Sequence, residues 1–193
     1  ALADMAIYDR VEVVRGATGL MSGSGDPSGT VNLIRKRPTE TFKGYVSGGL
    51  GSWDLYRTEV DVSGPLTDSG NVRARAVAAY QQGNSFTDHL QQEKTILYGI
   101  TEFDLSDSTL LTVGVDYLDS DPRGFSTTGL PLLDRYGNKL HTSRSDNPAS
   151  RDSSNHQQII NSFASIEQKL ANDWSLKLST SYLYGTRDYD SVI

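Results

Sequence analysis

The rhythm of polar and apolar positions changes near residue 40. Before it, Ile7 to Val14 (IYDRVEVV) and Thr30 to Ile34 (TVNLI) are β-rich, and Gly16 to Gly29 between them holds five glycines and a proline. That order predicts strand, glycine-rich turn, strand, with Pro38 closing the segment. From Phe42 onward a longer unit repeats, and seven strands are predicted at about 42–52, 55–65, 71–83, 93–105, 109–120, 157–170 and 174–187. Alternation with period two is plain in four of them. Val60 and Val62 oppose Glu59 and Asp61, and Arg73 and Arg75 oppose Val72, Ala74 and Ala76. Leu111, Val113, Val115 and Tyr117 share a face, as do Trp174, Leu176, Leu178, Tyr182 and Tyr184. The first, fourth and sixth strands show no clear phase. No helix of useful length is predicted.

The connections between these strands alternate in length. Leu66 to Gly70, Ser106 to Ser108 and Ala171 to Asp173 are tight turns; Asn84 to Gln92 is longer, and Asp121 to His156 runs to about 36 residues. Outer-membrane barrels combine short periplasmic turns with long extracellular loops. A soluble sandwich has little reason to collect its long loops at one end, although immunoglobulin-like domains do so. The strand lengths meet the 9 to 11 tilted residues that cross a bilayer. Trp53, Tyr56, Tyr80, Tyr117, Trp174 and Tyr184 fall towards strand ends, where amphipathic rings suit a membrane interface.

Composition narrows the choice. The net charge is −6 and the one basic run is Arg35-Lys36-Arg37. This argues against nucleic acid as a partner and reads as a solvated strand end. Cysteine is absent, so disulfides, thiolate zinc sites and thiol catalysis are excluded. No apolar run is long enough for a transmembrane helix, which does not bear on alternating barrel strands. His89, His141 and His156 lie apart in loops, without metal-ligand spacing. Ser85, Asp88 and His89 are neighbours only in sequence, and a triad is defined by geometry. Gly23 to Pro27 lacks the ending of a phosphate loop, and Asp119, Asp121, Asp146 and Asp152 lack EF-hand spacing. No cofactor and no catalytic or metal site are expected.

Tyr8 to Pro38 (YDRVEVVRGATGLMSGSGDPSGTVNLIRKRP) resembles the end of the plug domain of TonB-dependent outer-membrane receptors. The matching positions are Asp9, Arg10, Val11, Glu12, Val13, Arg15, Gly16, Leu20, Gly23, Gly29, Val31, Asn32, Lys36, Arg37 and Pro38. Ala17, where many members have proline, and Met21-Ser22-Gly23 make the segment similar to the ferric-pyoverdine and hydroxamate branch. Gly51 to Asp54, Asp61 to Leu66, Gly129 to Pro131, Gly137 and Ile166 to Leu170 with Trp174 resemble later parts of the same family. The resemblance spans nearly the whole chain, and the plug segment is its specific part.

The resemblance implies an all-β fold: residues 1–38 as the C-terminal part of a plug, and residues 39–193 as the first strands of a transmembrane antiparallel barrel of roughly 22 strands. Seven strands cannot close a barrel facing lipid, so the chain is read as a segment of a longer receptor. The expected function is import of a ferric siderophore, with the iron as cargo. The expected partners are TonB with its inner-membrane energising complex, and outer-membrane lipid. A vitamin or sugar cargo, a soluble β-sandwich or adhesin-like module, and a small complete barrel are the alternatives. Charges within a plugged lumen need partners, so plug-to-barrel pairing is expected for Arg10, Glu12 and Arg15, with Glu59 and Asp61 as wall partners. Gly16, Gly23 and Gly29 are expected to shape the plug turn. Arg123, Phe125 and Tyr136 are candidate cargo contacts in the longest loop.

Overall fold

The computed structural model describes residues 4–16 and 29–191. Within them a short 3-10 turn, Met5–Ile7, leads into a two-stranded antiparallel ribbon of β1 (Tyr8–Arg15) and β2 (Gly29–Arg35). A second, seven-stranded sheet follows in strict meander order: β3 (Lys43–Gly51), β4 (Leu55–Pro65), β5 (Val72–Asn84), β6 (Gln91–Ser106), β7 (Thr109–Arg123), β8 (Ser154–Lys169) and β9 (Ser175–Asp190). The seven expected strands are all present, and the later ones extend a few residues beyond the bounds read from sequence. Short connections after β4, β6 and β8 gather at one end, and the 85–90 and 124–153 loops at the other.

The two faces of the large sheet differ in kind. On the outer face stand Val46, Leu50, Val60, Val62, Val113 and Val115, all exposed. Leu176, Leu178, Tyr182 and Tyr184 continue this face on β9 and are also exposed. An apolar face without a protein cover is unfavourable in water and favourable against hydrocarbon. Tyr56, Tyr80, Tyr117 and Tyr184 point the same way towards the long-loop end.

The inner face carries the core. Val77 and Ala79 of β5 and Ile96, Tyr98 and Ile100 of β6 are buried together with Ala6 and Ile7 of the 3-10 turn. This explains why the phase of β6 was hidden in the sequence. Its inward residues Ile96, Tyr98 and Ile100 are as apolar as outward Leu97, because the turn covers them. In β8, Phe163 points inward beneath Arg35 while Ile160 and Ile166 point outward. β3 is masked differently: Gly44, Gly48 and Gly49 interrupt the alternation of Val46 and Leu50.

Candidate functional site

The inner face presents side chains in rows set by strand register. One row runs Arg57, Gln81, Lys94 across β4, β5 and β6. A second runs Tyr45, Asp61, Val77, Tyr98, Asp116, Asn161 from β3 to β8. The polypeptide preceding β3 touches this face twice, once at each row.

The first contact is Asp4 with the turn behind it. Its Oδ1 accepts from the Ala6 N–H at 3.0 Å, capping the turn. The same carboxylate takes a two-pronged grip from Arg57, at 2.8 and 3.1 Å, and lies 3.6 Å from the Lys94 Nζ. Burial alone would push the Asp4 carboxyl up. Arg57, the Ala6 N–H and Lys94 outweigh it and hold the group below the ordinary aspartate value. The turn then seats Ala6 and Ile7 on Val77, Ala79 and Ile96.

The second contact is Arg35 to Thr39. The Lys36 N–H donates to the Ile7 carbonyl at 2.9 Å, closing the base of the ribbon. Three consecutive cations then reach three different strands. Arg35 meets Asp116 of β7 at 3.1 Å and lies over the Phe163 ring at 4.7 Å. Lys36 meets Asp61 of β4 at 2.8 Å and the Tyr45 hydroxyl at 2.9 Å, with Glu59 at 3.6 Å. Arg37 meets Glu102 of β6 at 2.6 Å. Backbone groups are held too: the Tyr98 hydroxyl donates to the Lys36 carbonyl at 2.7 Å, and Arg75 to the Arg37 carbonyl at 3.0 Å. The Thr39 N–H donates to Ser63 Oγ at 2.8 Å. Burial would lower the affinity of Lys36 for its proton, but Asp61 and Tyr45 outweigh burial and hold its pKa above the ordinary lysine value. Asp61 is 2% exposed and also accepts two bonds of 2.8 Å from Arg75. Among the described residues no buried side-chain polar atom lacks a partner, as a charged interior requires.

The residues expected to pair ribbon with sheet divide. Glu59 and Asp61 meet Lys36, which follows β2, and Arg57 joins Glu59 at 3.2 Å. Arg10 instead pairs along its own strand with Asp9 at 3.1 Å and Glu12 at 2.8 Å, all exposed, and Glu12 also accepts from Asn32 at 3.4 Å. Arg15 is exposed at the far end of β1. The reading of Arg35-Lys36-Arg37 as a solvated strand end is corrected: each cation has a carboxylate partner on the sheet. The sequence shows the run but not the carboxylates, which lie 25 to 81 residues away. Asp4 carried no signal beyond its place before an apolar pair. Gly16 has φ +99° and Gly29 φ +149°, and a Cβ on Gly29 would lie 2.9 Å from the Val14 carbonyl oxygen. Gly23 lies outside the described residues.

At the long-loop end, the loop 124–153 is fastened at its root. Asn147 Nδ2 donates to the carbonyls of Asp88 and Gly124 at 2.7 and 2.8 Å, and Arg144 lies 4.8 Å over Phe86, which tilts against Trp53 at 6.1 Å. Arg123 pairs with Asp121, Phe125 meets Tyr189 edge-on at 6.4 Å, and Tyr136 packs with Arg135 at an exposed tip. These three do not converge on one another. His156 Nε2 lies 3.2 Å from Asp119.

No family model matches the chain. The ferripyoverdine receptor of Pseudomonas aeruginosa is 54% identical over 182 residues, covering 94% of this chain and 22% of the receptor. The ferric-pyoverdine BN7/BN8 receptor of Pseudomonas putida is 49% identical over 92% of this chain and 22% of its own length. The crystal structure of the former, bound to ferripyoverdine, matches with a TM-score of 0.93 at 51% identity, over 98% of this chain and 25% of that chain. The alcaligin outer-membrane receptor of Bordetella pertussis matches with a TM-score of 0.75 at 34% identity, over 95% of this chain and 27% of that one. The chain thus spans about a fifth to a quarter of the relatives it matches.

Proposed function

Since the chain belongs to the TonB-dependent ferric-siderophore receptors of the bacterial outer membrane, we propose that the protein containing it imports a ferric siderophore of the pyoverdine type. In this reading residues 1–38 are the end of the plug, and residues 39–193 begin the barrel. The observation that carries it is the two-faced sheet: apolar residues outward, and an inner face whose charges are matched to the segment before β3. A transmembrane wall with a docked plug needs both properties at once. Similarity to two receptors named for pyoverdine supports that cargo class.

Transport of this kind makes and breaks no covalent bond in the cargo. The residues' work is to seal the lumen, present a binding surface outside, and let the plug yield when TonB pulls. Arg123, Phe125 and Tyr136 stand at the long-loop end as the residues that would meet the chelate. Guanidinium and aromatic side chains suit a polar chelate.

The test is uptake of radioactive iron by cells that carry the complete receptor as their sole siderophore receptor. Iron presented as ferripyoverdine should accumulate in a TonB-dependent way, and a vitamin or a sugar should not compete. Uptake that persists without TonB, or that no pyoverdine supports, would overturn the reading.

A further inference from the structure

Asn147 joins the longest loop to its neighbour. Its Nδ2 gives one hydrogen to the Asp88 carbonyl and the other to the Gly124 carbonyl, and its Oδ1 accepts from the Ala149 N–H at 3.0 Å. Both donors of the amide are thereby used within the protein. The backbone around it is closed in the same way. The Asp88 N–H donates to the Ser145 carbonyl at 2.8 Å, and the Gly124 N–H to the Ser153 carbonyl at 2.7 Å. Gly124 has φ +66°, and a Cβ there would strike the His89 carbonyl oxygen, so this crossing of backbone on backbone requires glycine.

Phe125 is the next residue. With both polar groups of Gly124 held, the direction in which Phe125 leaves the end of β7 is set. Its ring meets Tyr189 edge-on. Tyr189 pairs with Asn155 across β8 and β9, on the inward phase that carries Asn161 and Phe163. It is steadied in turn: the Arg187 guanidinium lies 5.6 Å from its ring and bonds Asn155 at 2.6 Å, and its hydroxyl lies 3.1 Å from Thr127 Oγ1. Phe125 therefore stands at the inner side of the barrel mouth, braced from two directions by protein contacts alone.

Binding that must first order a side chain loses that cost from its affinity. The 124–153 loop carries no strand or helix of its own, so its order at Phe125 comes from these contacts. We propose that Asn147 is a positioning residue for cargo binding: it touches no cargo itself and holds Phe125 in the direction from which Phe125 meets the chelate. The inference rests on the reading of Phe125 as a cargo contact; the hydrogen bonds that fix its neighbour are independent of the cargo.

The test uses the complete receptor in lipid vesicles, with 4-fluorophenylalanine in place of Phe125 as its sole fluorinated residue. One narrow 19F line is expected. Asn147→Ala should broaden or split it, and so should Asn147→Asp, which keeps the shape but at neutral pH has no hydrogen to donate. An unchanged line, or a change with alanine alone, would overturn the proposal. Heat-modifiable gel mobility checks that each variant is folded. Equilibrium binding of radioactive-iron ferripyoverdine is the second readout. Asn147→Ala should weaken it about three- to tenfold, the range for ordering one side chain on binding. With Phe125→Ala already present, the same change should cost less than about twofold. An equal loss in both backgrounds would show a general loosening of the loop and overturn the proposal, as would Phe125→Ala that binds as tightly as the unmutated receptor. An unmutated receptor that binds no ferripyoverdine counts against the cargo reading alone, because the 19F line still decides whether Asn147 orients Phe125.

Discussion

Asp61 is the point where the ribbon-to-sheet contact can be weighed. The perturbation is Asp61→Asn, which keeps shape and one acceptor and removes the charge. Three contacts of 2.8 Å converge on this carboxylate, one from Lys36 and two from Arg75. The side chains are 2% exposed for Asp61, 12% for Lys36 and 17% for Arg75. Loss of one partner from a buried pair costs about 3–5 kcal/mol, because the remaining charge stays buried and uncompensated. Glu59, 3.6 Å from Lys36, offsets part of this, so the lower end, about 3 kcal/mol, is expected. The assay is reversible urea unfolding of the complete receptor in lipid vesicles. Adding Lys36→Met in the Asp61→Asn background should cost less than Lys36→Met alone, with a coupling of about 1–3 kcal/mol. Glu12→Gln, on the exposed ribbon, should leave the midpoint where it was. A loss below about 0.5 kcal/mol for Asp61→Asn, or strict additivity in the cycle, would refute the view that this carboxylate anchors the segment.

Four further outcomes are expected. The Asp4 carboxyl is held below 3.8, so its stabilisation is complete above that pH and is lost as pH falls through its lower folded value. Asp4→Asn should therefore flatten the acid limb of the stability profile, and an unchanged acid limb would count against the Arg57 grip. Lys36, held above 10.5, behaves in mirror image: its contribution is complete below that pH and disappears as pH rises through its higher folded value. Val115→Arg puts a cation on the outer face and should cost about 2–4 kcal/mol of folding into a bilayer, read by heat-modifiable gel mobility. Equal folding of that variant would contradict a lipid-facing β7. Gly114→Ala would overlap the Phe163 ring and set a Cβ 2.9 Å from the Gly99 carbonyl oxygen. The expected loss is about 1–3 kcal/mol from overpacking, and Phe163→Leu should relieve part of it.

Much of the fold was legible because membrane strands obey a simple rule. On β4, β7 and β9 a lipid face and a wet face alternate, and period two emerges directly. β6 broke the rule because Ile96, Tyr98 and Ile100 face an apolar seat within the lumen. A strand covered on both sides by apolar matter has no phase to read. The site was less legible for a different reason. Charge pairing across a meander depends on register and on what docks against it, and neither is local. Glu59 and Asp61 could be singled out, since carboxylates on the inward phase of a barrel strand require partners. Their partners were sought in β1, where charges are frequent, and lie instead at Lys36, Arg57 and Arg75. The turn-forming Asp4 could be recognised only from the guanidinium facing it.

The paired contacts of Asp4 and of Arg35 to Arg37 with the sheet have a consequence for building hybrid receptors. Pro38 looks like a natural place to join the plug of one receptor to the barrel of another, since the sequence changes character there. A junction at that point would bring in a foreign Asp4, Ile7, Arg35, Lys36 and Arg37 to face resident Arg57, Ile96, Asp116, Asp61 and Glu102. Residues 4–7 and 35–39 belong with the barrel they touch, whatever domain their sequence announces. A crossover placed before Asp4 transfers these contacts intact with their wall, and the border between exchangeable modules lies there.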